Sequence, residues 1–170
     1  TLLAVSAGKI EFATGTVDTA EAFNANTDVE GDNQGSLQEL LKDGVIRVYS
    51  GSQPSSADDA ETGSLLLKIT VSSGDFTPGS PTNGLEIQGP IDGVINIKDG
   101  EIWSGKGLSD GVAGWFRYYD NLEQTGAVKS AVRLDGVCGT SGAQLNMSST
   151  SIKAGATTTI DSFEITMPAS

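Results

Sequence analysis

Short runs in which apolar and polar residues alternate, each stopped by Gly, Pro, Asn or Asp, fill the chain from Val45 onward. No other feature limits the fold as strongly. A period of two sends successive side chains to opposite faces of a strand, and the stops leave no room for long helices. The runs are "VIRVYS" (45–50), "SLLLKITVS" (64–72), "LEIQ" (85–88), "GVINIK" (93–98), "VAGWFRYYD" (112–120), "AVKSAVRLD" (127–135), "AQLNMS" (143–148) and "TTTIDSFEITM" (157–167). In the last, Phe163, Ile165 and Met167 alternate with Glu164 and Thr166, the pattern of a half-buried strand. Between them, "GSQPSSADDAETG" and "FTPGSPTNG" read as loops, since their prolines and glycines exclude a central strand.

Many short strands at regular spacing predict an all-β fold, a β-sandwich of jelly-roll-like form, as a single domain over residues 36–170. One short helix is expected near residues 36–43. Ser36 caps it, Glu39 completes a capping box, Leu37, Leu40 and Leu41 share a face, and Gly44 ends it. Residues 1–35 are polar, with Phe12 and Phe23 as isolated anchors, and read as an extended N-terminal arm or loosely packed strands. "TLLAVSAG" carries a cleavage-like Val5-Ser6-Ala7, but without a basic head and with a short apolar stretch it reads as a strand or arm.

Charge and residue usage exclude several functions. The net charge is −12, and the few lysines and arginines are scattered, so neither nucleic acid nor a membrane surface is an expected partner. The absence of histidine removes the commonest general base and the usual triads. Cys138 is the single cysteine, which permits no intrachain disulfide and fits synthesis in a reducing compartment.

Four stretches invite a chemical reading. "GEIWSGKG" (100–107) is one residue short of a phosphate-binding loop, with Gly100, Gly105 and Lys106 in place but Gly107 where a magnesium-binding hydroxyl belongs. Gly107, Gly111 and Gly114 also interrupt the helix such a loop needs, so the stretch reads as a turn entering the next strand. Asp28, Glu30, Asp32 and Glu39 fall at the first, third, fifth and twelfth positions of a calcium-binding loop, but Asn33 replaces its glycine, which favours a solvated acidic loop. Asp58, Asp59 and Glu61 sit together in a loop, and "GTSGA" (139–143) is not a nucleophile elbow, so no hydrolase site is assembled. Finally, Trp115, Phe116, Tyr118 and Tyr119 share one strand, with Trp103 across a turn. Trp115 and Tyr119 then lie on one face and Phe116 and Tyr118 on the other. Arg117, on the Trp115 face, can lay its stem on the rings and pair its head with an acid. These rings either fill cores on both sides of a sheet, as expected here, or form a sugar-stacking platform, which would make the chain a carbohydrate-binding module. No catalytic residue and no cofactor is expected.

The order of motifs also resembles a family of tailed-phage virion-associated structural proteins. The resemblance is carried by "IRVYSGSQP" (46–54), the acidic loop with "TGSLLL" (62–67), "GVAGWFRYYD" (111–120), "RLDGVCGTSGAQLNM" (133–147) and "IKAGATTTIDSFEITMP" (152–168), and covers about residues 36–170. It implies a non-enzymatic structural component of a double-stranded DNA bacteriophage particle, assembled in the host cytoplasm. The resemblance does not fix the place in the particle; the expectation is a head decoration or cement protein, with a tail or neck adaptor or receptor-contacting component as the alternative. The implied partners are the major capsid protein or other virion proteins, with a homo-oligomer, a trimer, as the favoured form.

Overall fold

The computed structural model describes residues 37–91 and 94–166. The N-terminal arm, the Ser36 cap, Met167, and the calcium candidates Asp28, Glu30 and Asp32 lie outside the described residues. One short helix, α1 (Leu37–Leu40), precedes ten strands. They are β1 (Val45–Ser50), β2 (Leu65–Val71), β3 (Ile87–Ile91), β4 (Val94–Ile97), β5 (Trp103–Lys106), β6 (Gly111–Tyr119), β7 (Arg133–Gly139), β8 (Leu145–Met147), β9 (Ser151–Ile152) and β10 (Thr157–Thr166). The fold is all-β apart from α1, as the alternating runs predict. Among the described residues no helix is long and apolar enough to cross a membrane.

The strands close on themselves. β5 pairs with β2, β2 with β1, β1 with β6, β6 with β7 and β7 with β8, and β10 joins β8 back to β5. The result is a seven-stranded barrel, with β3 and β4 attached through β10 and β9 attached to β6. The sequence pattern predicts a sandwich, and the pairing shows a ring instead. A period of two sets which side chains face the core but not whether the sheet stacks on another or curls back on itself. Curling comes from bulges, where one extra residue bends its strand: at Val48/Tyr49 against β2, at Tyr49/Ser50 against β6, and at Ile160/Ser162 in β10.

"GEIWSGKG" proves to hold a strand. Gly100 makes the turn with φ 87°, but Trp103–Lys106 is β5, the stave between β2 and β10. A Cβ on Gly105 would overlap the Lys68 carbonyl, and one on Gly107 would overlap the Lys153 carbonyl, so these glycines permit close backbone approach in the barrel wall. Ser104 and Gly105 give no apolar alternation, which is why the sequence reads as a turn. The run "AVKSAVRLD" differs too: residues 127–132 belong to a loop, and β7 starts only at Arg133.

Trp103, Phe116, Tyr118 and Phe163 meet inside the barrel with ring centroids 5.4 to 5.9 Å apart. Ile46, Val48, Leu67, Ile69, Leu134, Leu145 and Met147 belong to the same core, as do Leu37 of α1 and Leu41 just after it. Each fully buried Leu, Ile or Phe side chain contributes about 1.5–3 kcal/mol. The polar ends of these rings are satisfied as well: the Tyr118 hydroxyl donates to the Leu85 carbonyl (3.1 Å) and the Trp103 indole to Glu101 Oε2 (2.8 Å).

Candidate functional site

The opposite face of β1, β6 and β7 is also buried, and its contents are polar. Strand register puts Lys68, Arg47, Arg117 and Asp135 in one row across β2, β1, β6 and β7. Three cations side by side repel one another. Asp135 answers one of them, and the other carboxylates, Glu61 and Glu123, come from two long loops, residues 51–64 between β1 and β2 and residues 120–132 between β6 and β7. Both loops fold down over the row.

Arg117 and Asp135 are fully buried and form a bidentate pair, with Nε donating to Oδ1 at 2.6 Å and Nη2 to Oδ2 at 2.7 Å. Arg117 Nη1 reaches the first loop, donating to the Asp59 carbonyl at 2.8 Å and to Glu61 Oε1 at 3.4 Å. Its guanidinium lies 5.4 Å from the Trp115 ring centre, and Trp115 stacks on Tyr49 at 4.7 Å. The Trp115 indole donates to the Thr62 carbonyl (3.3 Å). Burial would lower the Arg117 pKa, but the Asp135 hydrogen bonds and charge raise it. Burial in turn raises the Asp135 carboxyl, against the pull of Arg117.

One row further, Arg133 is fully buried and its donated hydrogen bonds all end on carbonyls. Nη1 donates to Ala57 (3.2 Å) and Gly126 (2.8 Å), and Nη2 to Gln124 (2.6 Å), so one side chain ties both loops to the sheet. Its Nε has no hydrogen-bond partner. Burial first, and the Arg117 charge second, lower its pKa.

Glu61 joins everything. It accepts from the Tyr119 hydroxyl at 2.5 Å, from the Gly126 amide at 3.0 Å, and from Arg117. Burial raises its carboxyl, but these hydrogen bonds and the Arg117 charge outweigh burial and leave it below its ordinary 4.5. Glu123, on the second loop with its side chain only 5% exposed, bridges Arg47 Nε (2.9 Å) and Lys68 Nζ (2.6 Å).

The six residues singled out from sequence therefore divide between two sides of one wall. Trp103, Phe116 and Tyr118 fill the barrel, while Trp115, Arg117 and Tyr119 sit beneath the loops, and all six are buried. None offers an exposed ring face to a sugar. Glu39 lies on α1. Among the described residues no group of three or more potential ligands could hold a metal ion. Burial pushes the Cys138 thiol up to about 12, which keeps it in the thiol form near neutral pH. A small depression lined by Gln38, Glu39, Lys42, Glu86 and Ile87 holds no reactive arrangement.

Sequence reasoning missed Glu61, Glu123, Arg47, Lys68, Arg133 and Asp135 as one assembly. A signal was present: Arg47, Arg117, Arg133 and Asp135 each interrupt strands whose remaining positions are mostly apolar or aromatic. Buried charge in a strand must be answered from elsewhere in the chain.

The chain was compared with protein-family models, curated proteins and solved structures. Nothing matches in any of the three.

Proposed function

We propose that this is a structural virion protein of a tailed double-stranded DNA bacteriophage, a head decoration or cement protein that holds neighbouring capsid subunits together. The observation that carries the reading is the two-loop clamp. Loops of this length are ordinarily the mobile part of a fold. Here the side chains that could serve chemistry or ligand stacking, the arginines and aromatic rings above all, hold two loops rigid on one face. A preordered surface loses little entropy on docking, which suits a protein that must bind a lattice many times over. The motifs that resemble those of tailed-phage virion proteins run through the same elements, since "IRVYSGSQP" leads into the first loop and "RLDG" supplies Arg133 and Asp135.

The test is to prepare particles with and without the protein and challenge them with heat and low salt. Stripped heads should leak DNA at lower temperature, and equal resistance refutes the cement role. Labelling the protein on the particle separates the head from the tail or neck: many copies spread over the shell support the proposal, and a few at one vertex support an adaptor.

A further inference from the structure

Inside the clamp two buried guanidiniums (Arg117 and Arg133) meet the carboxylates of Asp135 and Glu61, and Asp58 of the first loop also has a buried carboxylate oxygen. The carboxylates are not equivalent. Asp135 is fully buried and held on both oxygens by Arg117 within the sheet, whereas Glu61 is 15% exposed and reaches the set from a loop. Glu61 also bonds its own loop to the second loop, through Gly126, and to the sheet, through Tyr119. We propose that Glu61 is an acid-sensitive latch: its protonation separates the two loops from each other and from the sheet, and uncovers the arginine face beneath them while the barrel stays closed.

The driving force is charge. With Glu61 neutral, Asp135 stays bound to Arg117, and Arg133, over the Tyr119 ring with its hydrogen bonds on carbonyls, must share that one carboxylate. A buried charge without a counter-charge is expensive, and the cheapest relief is water entering as the loops lift. The charged and titratable groups facing Glu61 are Tyr49 of β1, Arg117 and Tyr119 of β6, and Arg133 and Asp135 of β7. From the second loop only the Gly126 amide approaches it. The carboxyl is held below 4.5, so the latch is shut above that pH and opens as pH falls through the lower folded value, while burial raises the Asp135 carboxyl above 3.8 into an overlapping window that Glu61→Gln separates from it.

Hydrogen exchange of the full chain, followed by peptide and corrected for the intrinsic pH dependence, tests this from about pH 7 to about pH 3.5. Peptides covering residues 51–64 and 120–132 should lose protection on acidification, by up to about tenfold at pH 3.5, while β1, β6 and β7 stay protected. Glu61→Gln should show the same loosened loops at neutral pH and no further acid step. Wild-type loops that stay protected throughout, loops and strands that open together, or an acid step that persists in Glu61→Gln would each overturn the latch. If Glu61→Gln does not fold, the wild-type order of opening, loops before strands or both at once, decides alone.

Discussion

Asp135 is the side chain on which the clamp depends most, and the reason is the company it keeps. Removing it leaves Arg117 buried at 0% exposure with no carboxylate in bidentate contact, and Arg133 beside it. Asp135→Ala should therefore cost about 3–5 kcal/mol, read as a lower urea midpoint at unchanged slope. Replacing both partners at once, Arg117→Met with Asp135→Leu, should recover most of that loss, because no buried charge remains unanswered. A double variant as unstable as the single one would mean that the hydrogen bond from Arg117 to the Asp59 carbonyl carries the stability instead. At this scale the sequence was half legible. The position of Arg117 on the Trp115 face predicts an acidic partner, because strand parity is local. That Glu61 and Glu123 arrive from loops is a matter of chain path, and periodicity carries no information about what covers a face.

Strands with strong alternation were legible as elements, and those without it were not. β1 matches its run residue for residue, and β10 is Thr157–Thr166 where the run spans 157–167. β5 was hidden because two of its residues, Ser104 and Gly105, are small and give no apolar alternation although both are buried. Its glycine gives a sharp contrast. Gly105→Ala would drive a Cβ into the Lys68 carbonyl and part β2 from β5, for a loss of at least about 3 kcal/mol in thermal or urea unfolding. Gly100→Ala, in the same motif, meets nothing within 4 Å and is strained only by its φ of 87°, so it should cost about 1 kcal/mol. Equal costs would show that the barrel wall yields at β5. The "AVKSAVRLD" run misleads for a related reason: Ala131 is buried and Val132 packs against the core, so a covered loop imitates strand alternation.

For the whole molecule, the clamp changes what net charge means. The three arginines, Arg47, Arg117 and Arg133, serve internal contacts, so the −12 is expressed by a surface almost stripped of guanidinium. Self-repulsion over such a surface is screened by salt, whereas the buried pairs are screened little. Raising ionic strength at neutral pH should therefore raise the melting temperature by roughly 2–4 °C, about 1 kcal/mol for a chain of this size. A fall would mean that exposed pairs such as Lys153 with Asp110 matter more than repulsion. The all-β class follows from composition and period, and barrel closure does not, since it is decided by bulges and by one strand that pairs three times. That strand, β10, meets β4, β5 and β8. While the chain is being made, those three strands emerge from the ribosome with a bare edge each, and none can be covered until residues 157–166 have been synthesised. A chain synthesised only as far as residue 156 therefore presents three unpaired edges at once, the condition in which edge-to-edge pairing between copies competes with closure of the barrel.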